Sequence, residues 1–208
     1  LKAHTSKPLS LSWWILIFFS TTAILGAAFL SFHKSERRIY RKKPPLAEIS
    51  EFSLNTQDGK IFSKSDLLGQ IWVMDFIFTR CAGPCPLLTS RMMELSSKLS
   101  KNHEVKLASV TVDPSYDTPE ILSSYAANIH ADPRQWIFLT GSPHEITYFV
   151  KKVMMQPLAA EPDGMPAHST RLMIIDKNAM IRGYLDGNDP EVTQKILMEI
   201  GSLMRESS

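Results

Sequence analysis

The chain has 208 residues, 44% of them hydrophobic and 21% charged, with a formal net charge of +2. That length holds one ordinary globular domain and an appendage. So small a basic surplus leaves no electrostatic footprint for nucleic acid. Two cysteines, four positions apart, can build neither a disulfide scaffold nor a four-cysteine zinc site.

After a short tail (residues 1–10), no residue from Leu11 to Phe32 is charged. Twenty-two residues at helical rise cover about 33 Å, enough for a bilayer core of ~30 Å, so residues 11–32 are expected to form one transmembrane helix. Trp13 and Trp14 suit the membrane interface. A cleaved signal peptide ending near Gly26-Ala27-Ala28 is the alternative, but the run exceeds the roughly 7–15 apolar residues of a signal core. Lys34, Arg37, Arg38, Arg41, Lys42 and Lys43 follow the span, and only Lys2 and Lys7 precede it. By that balance alone the C-terminal part would face the cytoplasm. Residues 33–48, basic and containing Pro44-Pro45, read as a linker, and residues 49–208 as the soluble domain.

Within that domain Phe52-Ser53-Leu54 and Lys60-Ile61-Phe62 flank Asp58-Gly59, a hairpin signal. The nearly continuous apolar run Ile71 to Phe78 predicts a strand covered on both faces. Leu88, Met92, Leu95 and Leu99 then recur at helical spacing. A strand is expected over Val105 to Val112, followed by a helix capped by Thr118 with Pro119 at its first position. Trp136 to Leu139 reads as a strand, and Ser142-Pro143-His144-Glu145 as a capping box opening a helix through about Lys152. Arg171 to Asp176 and Met180 to Tyr184 read as two more strands, and Val192, Ile196, Leu197, Ile200 and Leu203 mark a last amphipathic helix. Strands alternating with helices predict an α/β domain around a mixed, mostly parallel sheet flanked by helices.

Cys81-Ala82-Gly83-Pro84-Cys85-Pro86 lies between the buried strand and the first long helix. Cys85 is therefore expected at a helix N-terminus, where unpaired N–H groups and the positive dipole end favour a thiolate. Gly83 allows a sharp turn, and the prolines are tolerated where first-turn N–H groups lack helical partners. Two small residues capping a core strand is the plain alternative, but a glycine and two prolines around paired thiols are poor core filler. A three-residue spacer admits both a disulfide and a metal ion held between two sulfurs, so spacing alone leaves redox and metal chemistry open. Ligand softness says more: two thiolates suit Cu(I), and an added imidazole suits Cu(II) as well.

Of the six histidines, His4 precedes the apolar run, His33 lies in the linker, His103 and His144 read as solvated, and His130 ends a helix. His168 differs, standing in the loop Gly164-Met165-Pro166-Ala167-His168-Ser169-Thr170 just before a strand. Met92, Met93, Met154 and Met155 could be soft auxiliary ligands, but methionine more often fills core gaps. Asp113 and Asp117 receive no catalytic role.

Five segments, in order, resemble the Sco/SenC family: Phe78-Thr79-Arg80-Cys81 through Cys85-Pro86, Val112-Asp113-Pro114-Ser115-Tyr116-Asp117-Thr118-Pro119, Asp132-Pro133-Arg134-Gln135-Trp136, Leu139-Thr140-Gly141 and His168-Ser169-Thr170. The resemblance implies a thioredoxin-like fold in which the loop bearing His168 packs beside the cysteine turn. It further implies copper, as Cu(I) or Cu(II), held by Cys81, Cys85 and His168. The copper would be delivered to the copper-bearing subunit of cytochrome c oxidase, with a copper donor or thiol reductant as further partner. It also implies a single-pass protein of the inner membrane with its domain on the periplasmic side, opposite to the charge rule. Such a protein is a metallochaperone rather than an enzyme. The alternatives are a thiol–disulfide oxidoreductase that reduces a partner's cysteines through the Cys81/Cys85 redox pair, or a redox sensor. A thiol peroxidase fits less well, because Thr79 stands two before Cys81 with no proline upstream in that strand. The commonest family motif has proline directly after the first cysteine; here Ala82 stands there and Pro84 precedes the second.

Overall fold

The apolar run at Ile71 sets the architecture: strand β4 (Ile71–Ile77) is buried at every position, because both of its faces are covered. A computed structural model describes residues 19–27, 44–81, 83, 85–155 and 170–206. It divides into two units, Leu1–Lys42 and Lys43–Ser208. In the first, residues 19–27 are helical (α1), with Phe19, Ile24 and Leu25 exposed. Among the described residues no helix is long and apolar enough to cross a membrane, and the rest of the expected 11–32 span lies outside them.

The second unit carries an eight-stranded sheet in the order β1-β8-β7-β4-β5-β6-β2-β3. Its remaining strands are β1 (Ala47–Glu48), β2 (Ser53–Thr56), β3 (Ile61–Ser63), β5 (Val105–Thr111), β6 (Trp136–Thr140), β7 (Arg171–Ile175) and β8 (Met180–Asp186). Helices are α2 (Lys64–Leu67), α3 (Cys85–Leu99), α4 (Pro119–Asn128), α5 (Pro143–Tyr148), which runs on as a π-helical turn Phe149–Val153, and α6 (Val192–Glu206).

The mixed sheet agrees with expectation, but "mostly parallel" is corrected. Only β4–β5 and β5–β6 pair in parallel, and the other five pairings are antiparallel. Parallel neighbours need a crossover helix. Here α3 and α4 supply the two crossovers, while short turns join β2 to β3 and β7 to β8 and force antiparallel pairing. Gly59 in the β2–β3 turn takes φ +78°, a left-handed conformation that suits glycine. β1, at the end of the expected linker, pairs Ala47 with Ile181 and Glu48 with Met180. Two residues are too few to leave a periodic signal.

Period-two alternation along β4 splits the core into two layers. Trp72, Met74 and Phe76 pack with Phe52, Phe149 and Val153 on one face. Ile71, Val73 and Ile77 pack with Leu88, Met92 and Leu95 of α3, Leu122 of α4, and Ile196 and Ile200 of α6 on the other. Caps fix the helix starts: the Thr118 hydroxyl accepts from the Ile121 N–H, and Ser142 and Glu145 form the expected capping box. Met92 and Met154 are fully buried, the gap-filling role expected of them, whereas Met93 and Met155 are exposed.

Candidate metal and redox site

β4 ends at Ile77 and α3 begins at Cys85, so the cysteine turn spans the gap between a fully buried strand and the helix that covers it. Cys81 and Cys85 are both thiols; no disulfide joins them. Cys81 is half-buried, and its backbone N–H donates to the Phe78 carbonyl at 3.1 Å. The Gly83 N–H donates to the Cys81 Sγ at 3.4 Å, within the reach of a hydrogen bond to sulfur. Cys85 is the first residue of α3 and is buried, with only 5% of its surface exposed.

The helix start was expected to favour a Cys85 thiolate. Instead burial pushes the thiol well above its ordinary range, and a hydrogen bond with Cys81 adds to the rise. A backbone hydrogen bond from Phe78 opposes it. Desolvation of the thiolate outweighs the helix terminus because the sulfur is almost out of water. Cys81 is thus the accessible sulfur and Cys85 the inner one.

Beneath α3, on the same face of β4 as Val73 and Ile77, lies Asp75, fully buried. Its Oδ1 accepts from the Ser109 hydroxyl at 2.6 Å, and Ser109 accepts from the Trp136 indole N–H at 2.9 Å. Its Oδ2 has no hydrogen-bond partner. Burial pushes its carboxyl up to about 7. Asp75 acts electrostatically on Cys85 and on Tyr125, whose phenol burial also raises. The Tyr125 and Thr89 hydroxyls share a hydrogen bond of 2.8 Å, tying α4 to the first turns of α3. Sequence reading passed over Asp75 inside an apolar run, although it is the one charged residue between Ile71 and Phe78.

Asp117, which received no catalytic role from the sequence, braces the segment that leads into the cysteine turn. Fully buried, it accepts from the Thr79 N–H at 3.1 Å and from the hydroxyls of Thr79 and Thr111. It thereby fixes the chain two residues before Cys81. On the surface beside it the Arg80 guanidinium pairs with Asp113 and lies 4.0 Å from the centre of the Tyr116 ring.

Among the described residues no group of three or more His, Cys, Asp or Glu side chains could hold a metal ion, and His103, His130 and His144 are exposed. His168, the expected third ligand, lies outside the described residues, as do His4 and His33. The chain two residues beyond His168 is described. The Thr170 carbonyl accepts from the Gly187 N–H at 2.7 Å, and its hydroxyl donates to Asp186 at 3.0 Å. Gly187 in turn lies against Leu88, three residues into α3 from Cys85. Sequence reading gave no sign of this contact, which joins three segments remote in the chain.

A model of the SCO1/SenC family matches residues 41–205. The Bacillus subtilis SCO1 protein homolog is 39% identical over 125 residues, a match covering 59% of this chain and 64% of that protein. A structure of BsSco, described as a member of the Sco family of cytochrome c oxidase assembly proteins with a disulfide switch, superposes with a TM-score of 0.69 at 32% identity. That match covers 78% of this chain and 96% of BsSco. Arabidopsis thaliana ScoI, solved with copper bound, superposes with a TM-score of 0.64 at 26% identity, covering 74% of this chain and 99% of ScoI. A family match over four-fifths of the sequence, with a fold shared with a solved Sco protein at 32% identity, leaves one assignment: the chain belongs to the SCO1/SenC family.

Proposed function

We propose that this domain carries one copper ion between Cys81, Cys85 and His168 and passes it to the copper-bearing subunit of cytochrome c oxidase. Two soft sulfur donors in the thiol form, one accessible and one shielded, fit Cu(I), and an imidazole extends the set to Cu(II). The observation that carries the reading is the position of Thr170: two residues after His168, it is bonded to Gly187, which packs against the helix that starts at Cys85. Ligand exchange with the client subunit would begin at Cys81, the sulfur open to solvent. Because both thiols lose protons on binding copper, uptake releases protons. The reduced protein should bind one copper per chain, none after Cys81→Ser or Cys85→Ser, and bind it more weakly after His168→Ala. Parent-like copper content in all three variants, measured by metal analysis after gel filtration, overturns the assignment.

The same thiols support a second reading, a redox pair that exchanges disulfides with a partner, favoured by their hydrogen bond to each other and by the disulfide switch of BsSco. That activity would survive His168→Ala.

We further propose that residues 11–32 anchor the domain in the inner membrane, with residues 49–208 on the periplasmic side. The uncharged run and the site of oxidase assembly support this; the basic residues that follow the run argue the other way. A reporter fused after Pro45 should be active only when exported, and cytoplasmic activity defeats this orientation.

A further inference from the structure

We propose that Gly187 is a positioning residue that sets the spacing between the cysteine-bearing helix and the chain leading out of His168. The inference rests on the three-ligand copper reading above. Gly187 follows β8 directly, and its backbone is not in the left-handed region, so conformational freedom is not what requires a glycine there. Space is. A Cβ at this position would stand 2.8 Å from the Thr170 carbonyl oxygen and would overlap the Leu88 Cδ2. Leu88 is 1% exposed and embedded among Ile77, Met92 and Ile196, so it has little room to swing away. The Thr170 oxygen belongs to backbone that is already bonded to the Gly187 N–H, and its hydroxyl is held by Asp186. Gly187 is therefore a spacer without thickness. On one side lies the first turn of the helix that begins with Cys85, and on the other the residue two positions after His168. Any side chain here drives the two apart, and ligands held on separate elements lose metal affinity when their spacing is disturbed, by roughly 10–100-fold.

The test uses the reduced 208-residue chain in detergent, given one equivalent of Cu(II) without oxygen, and compares the parent, His168→Ala and Gly187→Ala. Affinity is measured by competition with a chelator, and imidazole coordination by nitrogen hyperfine coupling in the EPR spectrum. Gly187→Ala should bind Cu(II) at least about tenfold more weakly than the parent and lose or alter the nitrogen coupling, as His168→Ala does. Its circular dichroism spectrum should match the parent's, which general damage to the fold would change. Parent-like affinity and coupling in Gly187→Ala, beside a clear loss in His168→Ala, overturns the positioning role alone. A parent-like His168→Ala overturns the three-ligand reading, and this inference falls with it. A Gly187→Ala chain that lacks the parent's circular dichroism spectrum overturns the positioning role too, because the glycine is then required by the fold and not by the metal site.

Discussion

Two ionisable residues under one helix start behave opposite to their surface counterparts, for the same reason. Cys85 and Asp75 are both nearly sealed from water, so each favours its neutral form. For Asp75 the consequence is a measurable pH dependence. Its carboxyl titrates at about 7 in the fold and near 3.9 in an unfolded chain. Between those values the folded protein holds a proton that the unfolded chain has released. Stability from this group is therefore complete below about pH 4, falls as pH rises through 7 and is constant above, a loss on the order of 4 kcal/mol. Asp75→Asn should remove that fall. Urea unfolding of the reduced, metal-free protein at several pH values between 4 and 8 checks it, and equal pH slopes in parent and variant would contradict the burial argument.

Between β4 and α3 the chain must leave a buried strand, expose one sulfur and bury the next within eight residues. Asp117 lets it do so by holding Thr79 through both backbone and side chain, while Thr111 on the neighbouring strand β5 holds the same carboxylate. Removing an acceptor that serves three donors in a buried site leaves each of them unsatisfied. Asp117→Ala should cost about 3 kcal/mol in denaturant unfolding and speed alkylation of Cys81. A cost below about 1 kcal/mol would mean that Thr79 finds another partner. The π-helical turn that extends α5 shows the limits of local signals: the capping box marked where that helix begins, but nothing in Phe149–Val153 marked its change of winding.

At the scale of the domain, α6 is locked to the sheet by Arg182, whose guanidinium reaches Asp176 at 3.0 Å and Glu206 at 2.9 Å with all three side chains largely buried. Gly187, by contrast, brings Leu88 of α3 and Thr170 of the chain entering β7 together, so copper held at the proposed site should be coupled to the fold. Copper at about a hundred times its dissociation constant adds about 2.7 kcal/mol, which for a domain of this size raises Tm by about 5–10 °C. Thermal unfolding with and without Cu(I) should show that rise in the parent and none in Cys81→Ser. An equal rise in both would place the metal elsewhere.

Local patterns determined much. The buried strand before the cysteines, the helix beginning at Cys85, the Thr118 and Ser142 caps and the hairpin at Gly59 each follow from residues within a few positions of one another, where sterics and periodicity act directly. Cys81, Cys85 and His168 stood out because thiols beside glycine and proline, and a histidine in a family-like loop, have few structural uses. What needed the tertiary structure is whatever depends on contact across the chain. The antiparallel majority of the sheet, the neutral Cys85, the unpartnered oxygen of Asp75, the brace from Asp117 to Thr79 and the absent Cβ at Gly187 are of this kind. Burial and close approach are properties of surroundings, and a residue's surroundings exist only once distant segments have packed.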